Sequence, residues 1–120
     1  MNESVVYKLS KAFALRIIKL FEYLRNEKKE FVISKQIYRS GTSIGANVAE
    51  SLFAQSDADF VHKLRIALKE ASETRYWLEL LHESGVLTTK EFDNLNNDLS
   101  IIIGTTVNII NKKNNKGEEE

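Results

Sequence analysis

The amino-acid sequence predicts an all-α fold, an antiparallel up-down-up-down four-helix bundle. Three observations support this prediction. The chain has 120 residues but no proline and only five glycines, which suits a few long helices better than a fold with many turns. Four stretches place apolar residues at the i, i+3, i+4, i+7 spacing of an amphipathic helix. Short connections join these stretches, so consecutive helices are expected to be antiparallel neighbours.

One domain is expected over residues 1–113, followed by a polar, disordered tail at 114–120. The first helix has an apolar stripe that includes Phe13 and Ile17, and the charged run 27–30 predicts the turn after it. A short strand at 31–33 is a weaker alternative for the start of the second helix. The predicted helices span about 5–26, 33–54, 57–83 and 89–112.

Local signals define the ends of the third and fourth helices. The Ser56 hydroxyl is placed to cap the free amide of Asp59. Gly85 supplies the left-handed residue that commonly ends a helix, here the third. Thr88 and Glu91 have the spacing of a capping box and start the fourth helix.

Composition excludes several classes of protein. The chain has no cysteine and two histidines, so disulfide scaffolds, thiolate nucleophiles and Cys-type zinc sites are excluded. No metal or cofactor is therefore expected. The most apolar N-terminal stretch, 12–21, is interrupted by Arg16 and Lys19, so neither a signal peptide nor a membrane span is predicted. We expect a cytoplasmic protein without a membrane or small-molecule partner.

The net charge is zero, but the two parts of the chain differ. Residues 1–50 hold nine Lys/Arg against five Asp/Glu, a net +4, and residues 51–120 hold eight against twelve, a net −4. The first helix has cations on the side away from its apolar stripe. Such cations are candidate nucleic-acid contacts, or they are the ordinary surface of a soluble helix. They are Lys8, Lys11, Arg16 and Lys19.

The third helix has two apolar faces, whereas one buried stripe suffices for a helix in a monomeric bundle. A cluster of apolar side chains away from the main stripes indicates a contact surface between copies of the chain. In the alternative interpretation, Tyr76 and Trp77 cover the edge of their own bundle. The predicted oligomer interface consists of Leu15, Ile18, Ile66, Tyr76, Trp77 and Leu80.

The second helix has small residues at every fourth position. Each glycine within a helix costs about 1 kcal/mol relative to alanine, so Gly41, Gly45 and Ala49 predict close packing by a neighbouring helix. The opposite face is polar, either solvated or part of a network between subunits or with a ligand. That polar face consists of Gln36, Arg39, Ser43, Asn47 and Glu50.

One motif of an enzyme is present in the same helix. Residues 41–45 fit the nucleophile-elbow pattern G-x-S-x-G, but that elbow needs a sharp turn between a strand and a helix. Both flanks of this motif have helical patterns. No catalytic residue is therefore predicted, and we expect a protein that is not an enzyme.

The motif at Arg39-Ser40, Ser43-Ile44 and Asn47-Val48-Ala49-Glu50 resembles the signature of a bacterial family, the 23S ribosomal RNA intervening-sequence proteins. The similarity covers roughly residues 5–112. It implies a cytosolic four-helix bundle that assembles as a homopentamer. The family that this chain resembles is related to the accessory variability protein of diversity-generating retroelements. That protein is a basic pentameric barrel, and it binds both nucleic acid and a reverse transcriptase. The family usually has glycine where this chain has Ser51, followed by basic residues.

The sequence therefore predicts a non-enzymatic, oligomeric bundle of the intervening-sequence type. It would bind RNA or a nucleoprotein partner through a basic face. The alternative is a homo-oligomeric scaffold for protein–protein interaction that does not bind nucleic acid. The sign of the exposed charge on the assembled protein distinguishes the two hypotheses.

Overall fold

The computed structural model describes residues 3–119, with side chains for 5–115. The described residues form four α-helices and no strand. Each helix packs against the next, and the last returns to the first, so the order around the bundle follows the chain. The predicted all-α up-down-up-down bundle is confirmed. The helices are α1 (Glu3–Asn26), α2 (Ile33–Ser51), α3 (Asp57–Glu83) and α4 (Thr89–Glu119).

The core runs along the axis of the bundle and draws on all four helices. Phe13 and Ile17 of α1 are almost fully buried, as are Ile44 of α2, Leu78 of α3 and Leu99 of α4. Burying side chains of this size contributes about 1.5–3 kcal/mol each. Because the inner stripe of each helix is spaced at i, i+3, i+4 and i+7, the sequence identified most of these residues.

The turn between α1 and α2 contains a helix cap that is not predicted from the sequence. Lys29 has a positive φ of 54°, which reverses the chain and brings the Glu30 carboxylate to the start of α2. The backbone amides of Val32, Ile33 and Ser34 all donate to that carboxylate, the last at 2.6 Å. A negative charge also stabilises the positive end of the helix dipole. The strand considered at 31–33 is therefore replaced by a capped helix start at Ile33.

The other two turns have the predicted geometry. The Ser56 hydroxyl accepts from the Asp59 amide at 3.1 Å, and Gly85 has a φ of 86°. The Thr88 hydroxyl accepts from the Glu91 amide at 3.1 Å, while the Thr88 amide donates to the Glu91 carboxylate at 2.8 Å. The bond from the Thr88 amide is the main reason why the pKa of Glu91 is lowered.

Two helix ends differ from the sequence-based boundaries. α2 ends at Ser51 rather than 54. The amides of Leu52 and Phe53 donate to backbone oxygens three residues earlier, which is the tighter 3₁₀ pattern rather than the α-helical one. α4 continues to Glu119, whereas the sequence predicted its end near 112 and a disordered tail from 114. Residues 112–116 contain no proline, and extending an existing helix is easier than starting one. Glu120 lies outside the described residues.

Candidate functional site

The small residues of α2 lie against α1. A Cβ added at Gly41 would lie 2.7 Å from Cγ1 of Ile17, and one added at Gly45 would lie 3.4 Å from the backbone oxygen of Ser10. The two backbones therefore approach closely along this seam. Ala49, one turn further along α2, is partly buried.

The charged residues of the polar face of α2 turn toward α3. The Arg39 guanidinium contacts both Glu70, at 3.1 Å, and Glu73. Glu50 pairs with Lys63 at 3.1 Å. These ion pairs link the two helices within one chain.

Beneath these ion pairs lies a buried hydrogen bond between α2 and α3. The Thr74 hydroxyl donates to the Ser40 hydroxyl at 2.9 Å, and both side chains are fully buried. A buried polar pair of this kind favours one register of the two helices, because a shift would leave the Ser40 hydroxyl without this partner, whereas Thr74 also bonds the backbone oxygen of Glu70 at 2.8 Å.

The remaining polar residues of that face bond within α2. The Ser43 hydroxyl donates to the backbone oxygen of Arg39 at 2.6 Å, and the Asn47 amide donates to that of Ser43 at 2.9 Å. Gln36 is exposed. Ser43 lies inside a continuous helix, so the G-x-S-x-G stretch does not form the turn that a nucleophile elbow requires.

The candidate nucleic-acid contacts on α1 separate into two groups. Lys8, Lys11 and Lys19 are exposed, and at 100° per residue they lie within about 80° of one another. Arg16 instead turns toward α4, where it contacts Asp98 at 2.5 Å and Asn94 at 2.5 Å. Three of the four cations therefore face outward, and the fourth contributes to the packing of α1 on α4.

A cleft of about 510 Å³ lies between α1 and α4. From α1 it is lined by Arg16, Lys19 and Tyr23, and from α4 by Lys90 and Asn94. Its apolar lining consists of three nearly buried leucines, Leu20, Leu87 and Leu95. Glu91 is the only carboxylate among the lining residues. The sequence predicts a role for Arg16 and Lys19 but not for their partners across the cleft, because the pairing of α1 with α4 follows from the topology.

The predicted oligomer interface lies on two helices that flank α2. Leu15 on α1 and Tyr76 on α3 are 57% and 53% exposed, whereas Ile18, Ile66, Trp77 and Leu80 are partly buried. α1 and α3 each pack on α2 and not on one another. The structure therefore places these residues in two patches, one with Leu15 and Ile18 and one with the four α3 residues.

Trp77 is the most unusual residue of the α3 patch. Its ring centroid lies 5.1 Å from that of Tyr76, in an edge-to-face arrangement. Its indole nitrogen is buried, yet it has no hydrogen-bond partner among the described residues. A buried N–H without an acceptor costs about 1–3 kcal/mol.

Exposed apolar residues at the ends of the bundle have no role predicted from the sequence, and two of them are the most exposed. Phe53, in the turn between α2 and α3, is 88% exposed, and Val32 is exposed at the opposite end. Both lie outside the periodic stripes, which is why the helical pattern did not identify them. In the part of the chain that the structure describes, no helix has the length and apolarity to cross a membrane, and no cluster of side chains could ligate a metal.

Comparison with known proteins agrees with the fold. The family model described as "23S rRNA-intervening sequence protein" matches residues 2–108. The chain is also similar to a crystal structure from Bacteroides thetaiotaomicron, described as a protein with unknown function from the S23 ribosomal protein family. The two are 53% identical with a TM-score of 0.91, over 92% of this chain and 99% of that one. None of the curated proteins matches. This chain belongs to the family of 23S rRNA-intervening sequence proteins.

Proposed function

We propose that this protein is a non-enzymatic homo-oligomer, a pentamer of the cytoplasm, that binds RNA, free or within a nucleoprotein, through the outward face of α1. The observation that supports this most is that the exposed lysines of α1 have no ion pair among the described residues. Lys8, Lys11 and Lys19 have no carboxylate within 4.0 Å among the described residues, whereas cations at the helix contacts, such as Arg39 and Lys63, are paired.

The distribution of charge favours α1 as the binding element. Residues 1–29 hold seven Lys/Arg against three Asp/Glu, a net +4, while α3 holds four against six, a net −2. Neutralising phosphates with lysine and arginine is the main source of affinity for nucleic acid. Repetition of the α1 face around an oligomer would multiply this local charge although the whole chain is neutral.

The assembly is supported by the apolar patch on α3. The α1 patch is not used for it, because at 100° per residue Leu15 and Ile18 share the face of the three exposed lysines, and a copy packed there would cover the proposed RNA-binding surface. A second copy that packs on the α3 patch would bury the Tyr76 side chain, which is 53% exposed within one chain. The number of five copies is the expectation from the family resemblance. In this arrangement, the α3 patch serves assembly and leaves the side of α1 that faces α4 open.

A homo-oligomeric scaffold without nucleic-acid binding is the second candidate. It is favoured by the ion pairs of the family motif, since Arg39 is engaged with Glu70 and Glu73 and Lys63 with Glu50, so neither cation is available to a phosphate. It is also favoured by the net charge of zero. The two candidates differ in one property, the retention of RNA at low salt.

The test is the binding of a structured RNA at about 50 mM and 200 mM salt. The variant replaces Lys8, Lys11 and Lys19 by glutamine, and a matched control replaces the exposed cations Lys35 and Lys69 together with Arg65. Because each phosphate contact adds about 0.7–0.9 to the slope of log K against log salt, the α1 variant is expected to lower that slope by about two to three. The control should change it much less. If the wild-type protein retains no RNA at low salt, RNA binding is excluded and the scaffold is the candidate that is left; equal effects of the two variants would exclude α1 as the binding face.

A further inference from the structure

We infer that the cleft between α1 and α4 holds one unpaired nucleotide of a bound RNA strand, with its base on the leucine lining beside the Tyr23 ring and its phosphate between Lys19 and Lys90. This inference rests on the proposed function and assigns a position and a preferred form to the RNA. It adds Tyr23 and Lys90, which lie on the cleft next to the exposed face of α1.

The charges of the cleft favour an anion. Arg16 and Lys19 of α1 and Lys90 of α4 line it, against the single carboxylate of Glu91. That carboxylate accepts the Thr88 amide at 2.8 Å in the helix cap and keeps its negative charge, so two free lysines face one carboxylate. Arg16 is held by Asp98 and Asn94. Lys19 and Lys90, one from each wall, have no ion pair among the described residues and are exposed, so they are the cations available to a phosphate.

The apolar lining favours a planar group attached to that anion. Leu20, Leu87 and Leu95 form the floor of the cleft, but they are at most 7% exposed, so they add only a little apolar surface to that of the Tyr23 ring. The Tyr23 ring borders the same space and is partly buried. A free inorganic phosphate would leave this surface uncovered. A base attached to a phosphate would cover it, and stacking on an aromatic ring is the usual way in which proteins hold an unpaired base.

The size of the cleft limits its occupant. A volume of about 510 Å³ falls in the range of about 300–1,000 Å³ that is typical of sites for small organic groups. A paired base cannot leave its helix to enter such a cleft without the cost of unstacking. The cleft therefore favours single-stranded or bulged RNA, whereas the lysines of α1 alone would not distinguish it from a duplex.

The experiment uses the full-length protein and an RNA of about 12 nucleotides, within the usual site size of single-strand binders. The RNA has one 2-aminopurine between uridines and a fluorescein at its end, and is tested alone and paired with its complement. Anisotropy of fluorescein measures binding, and the emission of 2-aminopurine reports on the surroundings of the base. The single strand is expected to bind about tenfold more tightly than the duplex and to change its 2-aminopurine emission on binding.

Two variants locate the base. Tyr23→Leu keeps an apolar side chain but removes the ring; it is expected to weaken single-strand binding about fivefold or more and to abolish the emission change. The pair Lys19→Ala and Lys90→Ala is compared with the pair Lys35→Ala and Lys69→Ala, which removes the same charge elsewhere. Only the first pair should abolish both the preference for the single strand and the emission change. Thermal unfolding of each variant verifies that it is folded.

The outcomes separate this inference from the proposed function. Salt-dependent binding of both RNA forms with equal affinity and no emission change would overturn the cleft site and leave RNA binding by α1 in place. Absence of any RNA binding would overturn both. Free AMP, measured by equilibrium dialysis, is expected to bind at least about 100-fold more weakly than the strand, because it lacks the neighbouring phosphates. Equal affinity for AMP would overturn the assignment to an RNA strand.

Discussion

Gly41→Ala is expected to destabilise the protein, because the contact between α1 and α2 has no room for a methyl group. A Cβ at residue 41 would lie 2.7 Å from Cγ1 and 3.0 Å from Cγ2 of Ile17. Ile17 is fully buried, so its side chain cannot turn into solvent. Either the helices separate or the side chain leaves its rotamer, and overpacking of this kind costs about 1–3 kcal/mol.

The size of the effect is the difference between two opposing contributions. Alanine is favoured over glycine inside a helix by about 1 kcal/mol. The short distance to Ile17 places the overpacking near the upper end of its range, so we expect a net loss of about 2 kcal/mol in the free energy of unfolding, which corresponds to a fall of about 8 °C in Tm. Gly104→Ala is the matched control. A Cβ there has nothing within 4 Å, so that change should stabilise the protein by up to about 1 kcal/mol.

The assay is denaturant unfolding followed by circular dichroism, with all variants at one protein concentration because association changes the apparent stability. A third measurement repeats Gly41→Ala in an Ile17→Ala background. Ile17→Ala removes the atoms that the new methyl group would meet, so there the same substitution is expected to stabilise. If Gly41→Ala and Gly104→Ala stabilise the otherwise unchanged protein equally, the claim that α1 and α2 pack too closely at Gly41 for a methyl group is wrong.

The other predictions concern the helix cap, the motif and the apolar patch. Glu91→Gln should destabilise the protein by about 1 kcal/mol at neutral pH. Since the pKa of Glu91 is lowered in the fold from its usual 4.5, this difference should be complete above that value and should shrink as the pH falls through the lower, folded-state pKa; a difference that grows on acidification would contradict the cap. Arg39→Gln should cost less than about 1 kcal/mol, because its ion pairs with Glu70 and Glu73 are partly solvated; a much larger loss in urea unfolding would assign the motif a different role. Tyr76→Glu should lower the oligomer mass in light scattering without unfolding the chain, while Lys69→Glu, also exposed on α3, should not; an unchanged mass would exclude the α3 patch.

The parts of the fold that could be predicted from the sequence depend on interactions between residues close in the chain. The caps at Ser56 and Thr88 join residues three apart, and the left-handed residue after α3 is a glycine. The apolar stripes follow from the helical repeat alone. The cap by Glu30 is equally local, but it could not be predicted because it depends on a positive φ at Lys29. A lysine rarely adopts that conformation, so the residue type does not indicate it.

The contacts that could not be predicted depend on which helices are neighbours in the bundle and on which sides of each helix face them. Arg16 lies between the outward face of α1 and the flank that meets α4, so its pairing with Asp98 depends on the topology. The same holds for Arg39, which reaches across to two carboxylates more than thirty residues away in the chain. Predicting the cleft at Lys19 and Lys90 would also require the order of the helices around the bundle, since its two walls come from opposite ends of the sequence.

The most direct test of the account is native mass spectrometry of the full-length protein mixed with a structured RNA at low salt. The account predicts a species with five times the 13.7 kDa mass of the chain, together with the added mass of bound RNA, and loss of that RNA when Lys8, Lys11 and Lys19 are changed to glutamine. A monomer would contradict the assembly, and an oligomer without RNA would contradict binding by α1.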